Sequence, residues 1–177
     1  MNPVVLFGIQ FTLALLAYAL LAAWYVWPRL AVLPVLVALQ PLVWVHVFRV
    51  VGGSILAPGS VGPGVPDDFA RMVGYGDMLT AALALVAVAA LRLRWSAAIP
   101  LVWTFVVVGA LDTVNAIVQS VRYDVFHQPL GVNWVIVTLY VPALLVSSVL
   151  VVVTLVTAQR RVPPTAETPR RDVGGLH

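Results

Sequence analysis

The chain has 177 residues, of which 62% are hydrophobic and only 10% charged; a soluble domain usually carries about 25% charged residues. With a mean hydropathy of +1.01 and an apolar surplus gathered into long runs, it reads as an integral membrane protein. The pI of 9.8 comes from ten basic residues, all of them Arg, and these mark the ends of apolar runs rather than a basic stripe interleaved with aromatics, so nucleic acid is not an expected partner.

Absent residue types narrow the chemistry further. Without Cys there is no thiolate metal site, iron–sulfur cluster or thiol nucleophile. Without Lys there is no Schiff base and no P-loop lysine. Glu167 is the one Glu, which removes paired-Glu catalysis and Glu-x-x-His metal motifs. No metal or cofactor is expected, and whatever the protein does must use Asp, His, Arg, Asn, Gln, Tyr, Ser or Thr.

The first apolar run, Val4 to Trp27, is long enough to cross a bilayer, which takes about 20 residues. It lacks a basic leading region, exceeds a signal-peptide core and ends in Trp-Tyr-Val-Trp-Pro-Arg, so it reads as a span rather than a cleaved signal. The second run covers Leu30 to about Val51 and contains Pro34 and Pro41. A Gly/Pro-rich stretch from Gly52 to Pro66 reads as loop. Next, Pro66-Asp67-Asp68 opens a short interfacial helix that Gly74 and Gly76 are expected to end, with a carboxylate capping its N-terminus. Asp77 then caps the third span, Met78 to Leu91. Spans four and five cover Ala97 to about Val121 and Trp134 to about Thr157, followed by a polar, Arg-rich tail, 158–177, expected to be disordered. The fold class is therefore an all-α transmembrane bundle of about five spans within one membrane domain, residues 1–157. Pro41-Leu42-Val43-Trp44 recurs as Pro100-Leu101-Val102-Trp103, but at a different depth in its span, and reads as coincidence.

Five spans place Arg29, Arg92, Arg94, Arg160, Arg161, Arg170 and Arg171 on one side, against Arg71 and Arg122 on the other, with Arg49 near a helix end. The Arg-rich side is expected to be cytoplasmic, giving an outer N-terminus and inner C-terminus, as in a bacterial plasma membrane.

Charged groups at bilayer depth cost about 2.5–3.5 kcal/mol each on insertion scales and usually face the bundle interior. Counted from Leu30, His46 lies roughly 24 Å up its span at 1.5 Å per residue, level with Asp112 counted from Ser96. Arg49 and Asn115 are each three residues further, so a His46/Arg49 pair is expected to face an Asp112/Asn115 pair, with Asp77 at the same level. Asp112 is expected to pair with Arg49, and Gln10 and Asn115 to act as interhelical hydrogen-bonding groups. Three polar segments stand out: His46-Val47-Phe48-Arg49 with Gly52-Gly53, Gly74-Tyr75-Gly76-Asp77, and Asp112 to Asn115.

The leading functional reading is binding or transport of a small solute, ion or proton at His46, Arg49, Asp77, Asp112 and Asn115. In it Arg49 attracts an anion, and Asp112 with His46 relays protons. A second reading is a membrane-embedded enzyme acting on a lipid or isoprenoid with Asp112 and His46 as acid and base, which requires an apolar groove beside the polar layer. A third is an accessory subunit, either of a homo-oligomer or of a membrane complex, that docks through the small-residue face from Ala81 to Ala90. Bis-His haem ligation is disfavoured, since His46 lies deep and His127 falls in a loop.

Overall fold

The computed structural model describes residues 1–160; of the tail expected to be disordered, 158–160 instead continue the last helix, and 161–177 lie outside the described residues. Within them the chain is an all-α bundle of five helices long and apolar enough to cross a membrane. These are α1 (Pro3–Leu30), α2 (Val35–Leu56), α3 (Asp67–Arg92), α4 (Ala98–Arg122) and α5 (Asn133–Ala158). The protein is thus an integral, multi-pass membrane protein. Its polarity is that of a molecule solvated by lipid: Leu13, Trp24, Val107, Leu111 and Val121 point outward, while His46, Arg49, Thr80 and Ser147 are buried.

Proline and glycine shape each helix. Asn2 caps α1, accepting from the Val4 N–H at 2.9 Å, and Pro3 occupies the first turn, where its missing N–H costs nothing. Two spans widen into a single π turn just before a proline, Ala22–Val26 before Pro28 and Ile136–Tyr140 before Pro142. Each widening accommodates the ring and frees backbone groups for other partners. Near the first, Arg29 Nη1 donates to the Tyr25 carbonyl at 2.5 Å.

The expected second span began too early. Leu30 closes α1, and α2 starts at Val35 because Pro34 cannot continue a helix from the turn before it. Beyond Val47 the second helix tightens into 3-10 geometry over Phe48–Leu56, a long run for that geometry. Where the winding changes, the Tyr140 hydroxyl of α5 donates to the Val45 carbonyl, and one turn below Ser147 Oγ donates to the Leu42 carbonyl at 2.9 Å.

The helix expected to begin at Asp67 is present, but it does not end at Gly74–Gly76. It runs unbroken to Arg92. No side chain caps it, and Asp67 and Asp68 in the first turn favour the N-terminus through the helix dipole alone. Asp77 is therefore mid-helix and caps nothing.

At the centre α3 packs against both α2 and α4, α5 lies on α2, and α1 leans on α5 and on the loop after α4 without a packing seam against α4. The main core joins Leu39 and Val43 of α2, Leu91 of α3, Val102 and Phe105 of α4, and Val151 and Leu155 of α5. Ala84, Ala87 and Ala90 are fully buried in it, so part of the small-residue face considered for docking a partner instead lets α3 approach its own neighbours. A second core of Ile55, Val65, Phe69, Val125 and Leu130 closes the end of the bundle formed by the loops after α2 and α4.

Candidate functional site

Arg49 is the centre of the polar layer. It sits in the 3-10 part of α2, which turns its side chain between α3 and α4. Its Nε donates to Asp77 Oδ1 of α3, its Nη2 to Asp112 Oδ2 of α4 at 2.5 Å, and its Nη1 to the Gly109 carbonyl at 3.4 Å. The arginine is 7% exposed, and both carboxylates are largely buried. Charge-assisted bonds to a planar guanidinium are what make such a group tolerable at this depth.

Three glycines make the space. A Cβ on Gly52 would collide with the Asp77 carboxylate, and one on Gly76 with the Asp112 carboxylate. At Gly109 a Cβ would come within 3.0 Å of Thr80 Cγ2 and 3.7 Å of Arg49 Nη1. Gly76 and Gly109 are also held by their carbonyls, which accept from Thr80 Oγ1 at 2.9 Å and Thr113 Oγ1 at 2.8 Å. The glycines flanking the polar segments thus serve side-chain clearance rather than helix termination.

Of the five expected site residues, Arg49, Asp77 and Asp112 come together; His46 and Asn115 do not join them. His46 is 2% exposed, neither of its ring nitrogens has a partner, and its ring meets the edge of Phe105 at 4.8 Å between centroids. Phe105 lies two turns below Asp112. The difference follows from the helix starts: α2 begins five residues later than expected and α4 two, which lowers His46 relative to Asp112 by about 4.5 Å at 1.5 Å per residue. Asn115 faces outward and does tie helices as expected, its Nδ2 donating to Met72 Sδ of α3 at 3.0 Å. Gln10 also joins helices, accepting from Trp134 Nε1 at 2.7 Å.

Beside the Arg49 group lies a cavity of about 420 Å³, within the range of about 300–1,000 Å³ typical of ligand pockets. It fills the wedge that α1 leaves against α4, below the loop core, and Phe7, Phe11, Phe69, Val137 and Leu144 make its walls predominantly apolar. Arg49, Gly52 and Asp77 provide polar wall on one side, and Tyr140 and Asn133 contribute at the α5 side. Ile117, also in the wall, is 54% exposed, so the cavity opens on the flank of the bundle.

Asn133 carries no distinguishing signal in the sequence. Its Oδ1 accepts from Ser54 Oγ at 3.1 Å and its Nδ2 donates to the Ser60 carbonyl at 3.2 Å, tying the loop after α2 to the start of α5. Gly131, at φ +53°, permits the approach, since a Cβ there would stand 2.7 Å from the Ser60 oxygen. His127 is on the surface, paired with Asp124 at 2.6 Å. Among the described residues no group of three His, Cys, Asp or Glu side chains is placed to hold a metal ion.

Residues 6–156 match the family described as Domain of unknown function (DUF8737), and the chain belongs to that family. Neither the curated proteins nor the solved structures yielded a match.

Proposed function

We propose that this protein binds a small lipophilic molecule in the flank cavity, with the molecule's polar end at Arg49 and Asp77, and carries it within or across the membrane. The observation that supports this reading is the juxtaposition itself: an apolar cavity of about 420 Å³, open on the flank, with one buried ion-paired group in its wall. Intramembrane ionisable residues that face an internal space commonly mark substrate or ion pathways. The opening on the flank favours a ligand arriving from the lipid over one arriving from water. Further, the Arg49 guanidinium already donates to two carboxylates and a carbonyl, so the geometry does not favour attraction of a free anion there.

Positive-inside bias supports an orientation with the loop core outside and Arg29, Arg92 and Arg94 at the cytoplasmic face of a bacterial plasma membrane. In that orientation the cavity occupies the outer half of the bilayer.

Ala116 is a half-buried cavity residue on α4 whose replacement by Trp would fill the space without touching a charge. Native mass spectrometry of protein taken from membranes in mild detergent tests the reading. A lipophilic molecule retained by the wild type and lost from Ala116→Trp is expected. Equal retention, or none in either, would contradict it.

The apolar space beside the polar layer is also what a membrane-embedded enzyme acting on a lipid requires. Against that reading, His46 reaches neither carboxylate and is not in the cavity wall, so the expected acid–base partner of Asp112 is missing.

A further inference from the structure

The Arg49 group contains two carboxylates and one guanidinium, and they are joined in one cluster. The formal charges, one positive and two negative, leave one negative in excess. In an apolar wall an uncompensated charge costs several kcal/mol, so the excess carboxylate must be matched by a proton or by a cation. Asp77 is the carboxylate that reaches the cavity; Asp112 lies behind Arg49 and is not part of its lining. The remaining wall suits a bulky lipophilic ion: Phe7, Phe11, Phe69, Phe126 and Tyr140 present aromatic rings, whose faces attract cations when desolvated.

We infer that the cavity takes a lipophilic cation in exchange for one proton held by the Asp77–Arg49–Asp112 cluster, which rests on the reading of the cavity as a ligand site. On binding, the cation's charge takes up the excess at Asp77 and the displaced proton passes to solvent, so charge within the site is unchanged. The titratable groups around it are His46 and Arg49 of α2, Asp77 of α3, Asp112 of α4 and Tyr140 of α5; α1 presents only Phe7 and Phe11 to the cavity. His46 is turned to Phe105, and the Tyr140 hydroxyl donates to the Val45 carbonyl. The two carboxyls are therefore the groups placed to hold the proton. Arg49, with its donors engaged by both carboxyls, orients them.

Tetraphenylphosphonium and tetraphenylborate have nearly the same size and shape and opposite charge, which isolates the charge preference from the fit. Binding of each to purified protein is followed by calorimetry in detergent, in parallel with the neutral lipophile 1-aminoanthracene. The phosphonium is expected to bind with release of one proton, detected as a pH change in weakly buffered solution. Its affinity should rise about tenfold per pH unit wherever the site is protonated before binding. Asp77→Asn is expected to lower that affinity at least tenfold and to abolish proton release. Asp112→Asn, which removes the excess charge while leaving Arg49 paired to Asp77, serves as the second variant should the first not fold.

Borate binding as tight as phosphonium, or phosphonium affinity untouched by both variants, would overturn the inference. If only the neutral probe binds, and Ala116→Trp excludes it, the cavity reading stands and the cation–proton exchange fails. If no probe binds the folded wild type, both fail.

Discussion

Arg49 can lie between two helices because Gly52, Gly76 and Gly109 carry no side chain where its carboxylate partners need to be. A methyl group at the first two must displace a carboxyl group bound to Arg49. Gly52→Ala and Gly76→Ala are therefore each expected to destabilise the protein by about 1–3 kcal/mol, the usual cost of overpacking. Gly8→Ala, where nothing lies within 4 Å of an added Cβ, is expected to change stability little. Thermal unfolding in one detergent checks all three. The same logic separates the charged residues: Arg49→Ala leaves two buried carboxylates without a partner and is expected to cost about 3–5 kcal/mol. His46→Leu, by contrast, removes two buried nitrogens that have no partner. Since an unsatisfied buried polar group costs about 1–3 kcal/mol, His46→Leu is expected to melt at the same temperature or higher. A sharp drop would show that His46 makes an interaction essential to the fold.

At the scale of elements, the polar ties lie where regular winding changes. The shift of α2 into 3-10 geometry aims Arg49 between α3 and α4, and the Val45 carbonyl just before it is met by Tyr140. The loops above are held by Asn133, through Ser54 and Ser60. Asn133→Ala deletes both bonds, and each buried group left unpaired costs about 1–3 kcal/mol. Hydrogen exchange is expected to speed up in residues 52–66 and 128–133 while the helix cores of α3 and α4 stay protected; unchanged protection in the loops would show that apolar packing alone secures them.

Much of this was readable in the sequence, and the failures have physical causes. Long apolar runs identify spans because nothing else survives in lipid, and Asp112 and Arg49 stood out as ionisable groups needing a partner at similar depth. Asp77 reads as a cap in the sequence because a Gly-x-Gly signals a break when only backbone freedom is considered; the contacts that require those glycines come from α2 and α4, far away in sequence. His46 lies lower than the sequence suggests because a helix boundary at Val35 rather than Leu30 shifts every residue above it. Asn133 gives no signal, since its partners Ser54, in the last turns of α2, and Ser60, in the loop beyond it, lie far away in sequence.

At the scale of the whole molecule, α1 determines the cavity. It packs on α5 and leaves a wedge against α4, so a space remains that an α1–α4 seam would have closed. The absence of native Cys makes the orientation directly measurable. Single cysteines in exposed positions at opposite ends, Pro63→Cys and Ser96→Cys, are expected to differ in labelling of intact cells by a membrane-impermeant maleimide. The first should react and the second only after permeabilisation; the reverse would invert the topology.

The central claim is that the flank cavity, with Arg49 and Asp77 in its wall, is a binding site rather than a packing defect. Its most direct test is titration of 1-aminoanthracene into purified wild-type protein and Ala116→Trp, followed by the probe's own fluorescence. Saturable binding near one probe per chain in the wild type, lost in the filled variant at unchanged helical content, is the expected result. Identical titrations for the two proteins would contradict the account.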